Sequence, residues 1–396
     1  MFIMEWKIPI NERTIMLHKK KMKRWPKILL TLLGLILIIG GSMAAYAYQQ
    51  TKQTASKIYQ ASDQNAATKI KNQKPLSILL LGVDTGADGR TDKGRSDTII
   101  VATINPTTKK TTFVSIPRDT MAEMTAKGKT SVQKINSAYE IGGAKTAKKA
   151  VSNLLNVPIN YYLTLNMGGL AKIVDAVGGV TVTSNLTFTF NKTKIKKGTH
   201  HLDGKHALAF ARMRYDDPKG DYGRQLRQQQ VIKAVTKKLL SLNGVANYQK
   251  ILNVVQKNLK TDLSFSDMKG LATNYRAAVK HMTSDQLQGK NANINGSSYQ
   301  IATTKELNRI SKKLRTQLNL TPTKISNRET RLNKANPDFD GITATNYIIY
   351  GADSTVNYAT GTYQNNQSTY SNHHYQPSSS GQDQQPNDNN TFNMPN

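Results

Sequence analysis

Cysteine is absent from all 396 residues, so disulfides, thiolate zinc sites and a cysteine nucleophile are excluded. Acidic residues are scarce: 25 Asp and Glu face 55 Lys and Arg, a net charge of +30 that calls for a polyanionic partner. No Gly-Lys-Ser/Thr closes "QKINSAYEIGGAK", which is therefore not a Walker loop. His200, His201 and His206 lack the usual metal-ligand spacing, and no local context argues for a Ser-His-Asp triad. No internal repeat is evident. From about Gly351 onward aliphatic residues almost vanish, so that stretch cannot offset its own ordering entropy and reads as a disordered tail.

What is present begins with Ile28 to Tyr48, an uncharged run long enough to cross a bilayer as a helix. Lys19, Lys20, Lys21, Lys23, Arg24 and Lys27 precede it, and the positive-inside rule puts residues 1–27 in the cytoplasm and everything after Tyr48 outside. A cleavable signal peptide is the competing reading, with Ala44 and Ala45 near a cleavage site; the run is longer than a usual h-region, which favours a retained single-pass anchor. Met16 stands directly before the basic cluster, which makes residues 1–15 a candidate upstream extension. With most of the basic charge outside the cytoplasm, nucleic acid is excluded as the expected partner. Membrane lipid phosphate or an anionic wall polymer takes its place. The expected organisation is a polar stalk over 49–74, a globular domain over 75–320 and a low-complexity tail over 321–396.

Within the globular part, Ser77 to Asp84 reads as a buried strand, and Asp97–Asn105 with Thr111–Ile116 as a hairpin turning at Asn105-Pro106. A helix is expected from near Asn136, strands at "YYLTLNM" and "VTVTS", and a short helix between them closed by Gly178-Gly179. "HALAFARMR" is ambiguous between helix and strand, "GRQLRQQQVIKAVTKKLLSLN" is a helix, and amphipathic helices are expected up to about residue 320. This alternation predicts a layered α/β or α+β fold.

The hairpin carries a tag at each end, Arg95-Ser96-Asp97 and Pro117-Arg118-Asp119, and antiparallel pairing brings both to one sheet edge. Asp84 ends the preceding strand and is expected there too. Alone, these tags are equally well explained as exposed salt bridges. A second cluster shifts the balance. Arg212 and Arg214 share a face if that segment is extended, and Arg224, Arg227 and Gln228 share a helix face, with Asp221 just before them as a cap and catalytic candidate. No arginine occurs over the 93 positions 119–211, although lysine is frequent there. Arginine is thus held for the two clusters, where its planar fork can grip phosphate oxygens by two bonds. The joint reading is a cage of arginines for a pyrophosphate, with Asp84 and Asp97 available to a hard divalent ion. Lys134 and Asn136 are further phosphate contacts by position, balanced by the plainer readings of a solvated lysine and a helix cap.

"GVD", "GRSDT", "SIPRDT", "KINSAYEIGG", "VDAVGGV", "LDGKHALAFARMR" and "GDYGRQLRQQQ", in order over about residues 77–230, closely resemble the LytR–CpsA–Psr family of extracytoplasmic phosphotransferases. The resemblance implies an α/β fold, a layered α-β-α sandwich around a central mixed sheet enclosing an apolar channel, behind one N-terminal transmembrane helix. It implies transfer of an anionic glycopolymer from a polyprenyl-pyrophosphate carrier to a peptidoglycan sugar hydroxyl in Gram-positive bacteria. By motif, Asp84 and Asp97 correspond to carboxylates associated with Mg²⁺. Arg95, Arg118, Arg212, Arg214, Arg224, Arg227 and Gln228 correspond to pyrophosphate-site residues, and Asp119 or Asp97 is the candidate proton acceptor. A hydrolase of the same lipid-linked substrate and a non-catalytic membrane-bound regulator or polymer-binding protein are the rival readings.

Overall fold

The computed structural model describes residues 45–60, 67–84, 94–241, 251–254 and 256–350. The expected cytoplasmic segment, nearly all of the expected membrane anchor and the expected tail from residue 351 onward lie outside them. Among the described residues no helix is long and apolar enough to cross a membrane. The chain divides into two units, residues 1–349 and 350–396, and everything below concerns the first.

Helix α1 (45–58) and α2 (Ala67–Lys71) precede β1 (Leu76–Val83), β2 (Ser96–Asn105), β3 (Lys110–Ser115), β4 (Met121–Ala126) and β5 (Lys129–Lys134). Then come α3 (Ser137–Leu155), β6 (Tyr161–Asn166), α4 (Met167–Ala176), β7 (Val180–Ser184), β8 (Phe188–Phe190), β9 (Thr193–Ile195) and β10 (Gly198–Leu202). Helices α5 (Gly204–Arg212), α6 (Gly220–Ser241) and α7 (251–254) lead to β11 (Leu259–Thr261), α8 (Phe265–Asn274) and β12 (His281–Gln286). The hairpin β13 (Lys290–Ile294) and β14 (Ser297–Ile301), then α9 (Thr304–Gln317) and α10 (Arg328–Ala335), complete the order.

Six strands form the central sheet in the order β11-β6-β1-β2-β3-β12. The sheet is mixed: β1–β2, β2–β3 and β6–β11 are antiparallel, while β1–β6 and β3–β12 are parallel. The expected hairpin forms, and Asn105 Oδ1 closes its turn by accepting the Thr108 N–H at 3.0 Å. One face of the sheet buries Leu79, Leu81, Val83, Ile99, Val101, Val114 and Ile116 against Ala147, Val151 and Leu154 of α3 and Leu307, Ile310 and Leu314 of α9. Alternation along each strand sends Ile78, Ile100, Ala102 and Phe113 to the other face. There the neighbouring Leu80, Ile104, Leu163, Ile232 and Met282 are only half-buried.

Four elements differ from the sequence reading. "HALAFAR" is helical to Arg212, so the strand-like end does not form. The region expected to hold only helices contributes β11 and β12 to both edges of the sheet, plus the β13–β14 hairpin. The stalk is docked: Thr54, Ala55 and Ile58 of α1 are buried. The fold also runs past residue 320, burying Ile325, Leu332 and Tyr347, with Glu329 accepting the Glu123 N–H at 2.6 Å.

Candidate active site

The site starts with a break in register. Gly82 pairs with Thr98 but Val83 pairs with Ser96, which leaves Asp97 as the extra residue of a β-bulge. A bulge re-aims the side chain it frees, which is why such defects cluster beside active sites. Glycine is needed opposite it, because a Cβ on Gly82 would stand 2.8 Å from the Thr98 Cβ. Just beyond, the Asp84 carboxylate accepts the Arg95 N–H at 2.8 Å, so the first tag is fixed through its backbone. The Arg95 side chain then reaches Glu140 in the first turn of α3, Nε to carboxylate 2.7 Å.

At the end of β3, the Arg118 carbonyl accepts the Asn136 N–H (3.2 Å), while the Asn136 carbonyl accepts the Ser96 N–H (3.4 Å). Asn136 therefore locks the two tags together through its main chain. Its side-chain Oδ1 is buried without a hydrogen-bond partner, although it stands at the N-cap of α3. Arg118 donates from Nη1 to Asp97 at 2.9 Å and lies 3.7 Å from Asp119, which also pairs with Lys134 at 3.3 Å. Burial works against the Arg118 charge, but Asp97 and Asp119 outweigh it and hold the guanidinium above its ordinary pKa.

The second cluster arrives on α6. Helix α6 begins at Gly220, so Asp221 lies in its first turn rather than before it and ion-pairs with Arg224 one turn on. The Arg224 Nε is buried with no hydrogen-bond partner. Burial lowers the Arg224 pKa; Asp221 opposes this, while Arg118 and Arg214 push it further down. Arg224 therefore feels Arg118 and Arg214 as well as Asp221 and Asp97, and Arg118 feels Asp97, Asp119 and Asp221. Arg214 also lies over the Tyr215 ring, 5.7 Å from its centroid.

Other predicted residues stand apart from that group. Arg212, the last residue of α5, is exposed and lies over the Phe190 ring at 5.7 Å, so it does not share a strand face with Arg214. Arg227 is buried, and its guanidinium is saturated by the Phe210 carbonyl (3.0 Å), the Met213 carbonyl and the Asp217 carboxylate. Gln228, one turn after Arg224, is buried on α6. The second arginine cluster has acidic partners of its own: Asp221 pairs with Arg224 and Asp217 with Arg227.

Glu140 and Tyr299 escaped the sequence reading. Glu140 is four residues after Asn136, so helical spacing from that cap was the available signal. Tyr299 comes from β14, where Gln300 N–H donates to the Asp119 carbonyl at 2.9 Å, and Lys134 Nζ lies 5.5 Å from its ring centroid. Burial raises its pKa, with Arg95 and Asp119 acting in opposite directions. Nothing local in "NGSSYQI" announces this placement.

As a seat for a hard cation, Asp84 and Asp97 supply oxygen donors at one end of the β1–β2 ladder. Among the described residues no group of three or more His, Cys, Asp or Glu side chains could hold a metal. Carboxylate oxygen is the donor type that Mg²⁺ takes alongside phosphate and water.

Comparison with known proteins adds the decisive observation. Residues 45–316 match the model of the LytR_cpsA_psr family. This chain belongs to that family. A polyisoprenyl-teichoic acid–peptidoglycan teichoic acid transferase TagU of Enterococcus faecalis is 46% identical over 303 residues, 75% of this chain and 99% of that protein. A solved Enterococcus faecalis structure described as a transcriptional regulator superposes with a TM-score of 0.59 at 38% identity, covering 68% of this chain and 97% of that one. TagT bound to LIIa-WTA superposes with a TM-score of 0.53 at 27% identity, covering 66% of this chain and 95% of that one. The mixed α/β architecture around a central mixed sheet is thus that of its LytR_cpsA_psr relatives.

Proposed function

We propose that this protein transfers an anionic glycopolymer of the teichoic acid class from a polyprenyl-pyrophosphate carrier to a peptidoglycan sugar hydroxyl, releasing polyprenyl phosphate. The observation that carries this reading is the buried Arg224 Nε, left without a partner beside Arg118 and Arg214. A desolvated guanidinium with one direct carboxylate partner, Asp221, and two cationic neighbours keeps a donor for an anion. The 46% identical TagU relative gives the anion its class.

In this reading Arg118, Arg214 and Arg224 bind the pyrophosphate, and Arg95 and Lys134 flank it. The half-buried Leu80, Ile104, Leu163, Ile232 and Met282 accommodate the polyprenyl chain on the far face of the sheet. The acceptor hydroxyl oxygen bonds to the phosphorus nearer the glycan. The bond from that phosphorus to the bridging oxygen breaks, and its electron pair leaves on polyprenyl phosphate. Asp119, half-exposed between Arg118 and Lys134, takes the hydroxyl proton. Charge on the transferring group is met by arginines already fixed by Asp97 and Asp221, so little reorganisation is required. The chemistry a Mg²⁺ ion supplies at Asp84 and Asp97 is Lewis-acid neutralisation of pyrophosphate oxygens. The protein acts on the outer face of a Gram-positive cell membrane, held by the segment around residues 28–48 with its N-terminus in the cytoplasm.

The test is incubation of the full-length protein with a lipid pyrophosphate glycan, Mg²⁺ and peptidoglycan oligomers. Covalent ligation that disappears in Asp97→Ala and Arg118→Ala is expected. Free polymer without ligation would make the protein a hydrolase. No product, or variants indistinguishable from the parent, would end the transferase reading.

A further inference from the structure

Outside the arginine site, the hairpin β8–β9 carries basic residues that the reaction above does not use. Phe188, Thr193 and Ile195 are buried, while Lys192, Lys194 and Lys196 are exposed and alternate with them. Asn191 and Lys192 take positive φ values of 47° and 60°, which closes the hairpin in the tight turn that strand twist favours. None of these three lysines, nor the exposed Lys197, belongs to an ion pair among the described residues. Lysine on a short strand also guards its edge against pairing, and that role alone would ask for nothing more.

Two further observations ask for more. Lys194 and Lys196 border a cleft of about 650 Å³ whose other walls include Thr199, His200, His201 and His206. Its acidic member, Asp203, is committed to His206 at 2.7 Å. The hairpin also leads back to the arginine site, since Phe190 of β8 lies under Arg212, two residues before Arg214. Phe190 pairs with Thr193 and shares its buried face, so Arg212 packs on the side of the hairpin opposite the lysines, and the hairpin is anchored two residues from Arg214 with its lysine face turned outward.

We infer that this face is a second binding surface, for the phosphate-rich polymer chain that extends away from the transferred end. It rests on the glycopolymer reading above and adds where the length of the polymer lies. Alternate residues on a strand stand roughly 6.7 Å apart, the same order as the six-bond span between successive phosphates of a polyol phosphate chain. Lysine suits this task better than arginine, because a mobile point charge follows a flexible polyanion without demanding one geometry.

Two measurements on the full chain separate this inference from the function beneath it. Ligation of a lipid-linked stub without polymer repeats, by the unaltered protein, reports on the transferase reading alone. The difference in lipid-free poly(glycerol phosphate) binding between the parent and a variant of the lysines reports on the lysine face alone. With Lys192, Lys194 and Lys196 all changed to Gln, affinity at low salt is expected to fall about tenfold, and the log–log salt slope to shrink by about 2. Changing the same three to Arg should restore both, which guards against a folding defect. Equal affinity and slope in the Gln variant and the parent would overturn the inference. So would a loss seen only with vesicles of anionic lipid, which would make the face a membrane contact.

Discussion

Arg224 and Arg227 are three positions apart on one helix, yet they do opposite things. Arg224 keeps a buried N–H unspent, whereas Arg227 gives its donors to two carbonyls and the Asp217 carboxylate, closing the segment between α5 and α6. Arg224→Lys retains the charge but loses the planar fork. Ligation is expected to fall about 10²-fold with stability changed by no more than about 1 kcal/mol, read from turnover and urea unfolding together. Arg227→Ala strands the buried Asp217 carboxylate, so unfolding in urea should show a loss of roughly 3–5 kcal/mol. Helical spacing could not separate these residues. The acceptor that claims Arg227 lies in the loop before α6, and the carbonyls it caps belong to the end of α5.

At the scale of elements, the β1–β2 ladder and its bulge decide where the chemistry sits, while β12 decides how the edge is held. Asp285 of β12 accepts from Arg309 of α9 at 2.9 Å and pairs with Lys313, and its carbonyl accepts from Gln229 of α6 at 2.9 Å. Burial alone would raise the Asp285 pKa, but the hydrogen bonds from Arg309 and Lys313 dominate and bring it down to about 2. A depressed carboxylate contributes stability above its unfolded pKa of 3.8 and loses it as pH falls toward 2. Acid unfolding followed by circular dichroism should therefore steepen in that window, and Asp285→Asn should flatten it. The strand itself was hidden in sequence: "HMTSDQ" has Met282 as its one aliphatic residue and is exposed over half its length, so it shows no apolar alternation.

The whole molecule is larger than its periodic segments suggest. Polar composition after residue 320 reads as the beginning of a tail, but Ile325, Leu332 and Tyr347 are buried there. Ending the chain at Leu320 removes these side chains and the Glu329 acceptor, and a loss of roughly 5 kcal/mol is expected by urea titration. A few well-placed apolar residues suffice to dock such a segment, and their sparse spacing leaves no period to detect. For the same reason α1, which looks like a stalk, is seated through Thr54, Ala55 and Ile58.

By itself the sequence determined the family, the central strands and the convergence of the two tagged strand ends, because antiparallel pairing and period-2 alternation follow from local chemistry. It also set two arginine clusters apart, with 93 consecutive positions between them that hold no arginine. Only the tertiary structure decided which arginines remain available: Arg118, Arg214 and Arg224 share one field, Arg227 is buried in an ion pair, and Arg212 lies over Phe190. It also brought Glu140 to Arg95 from 45 residues away and Tyr299 to Lys134 from 165 residues away. The physical reason is that a guanidinium's task is set by the nearest acceptor, and here those acceptors come from other elements.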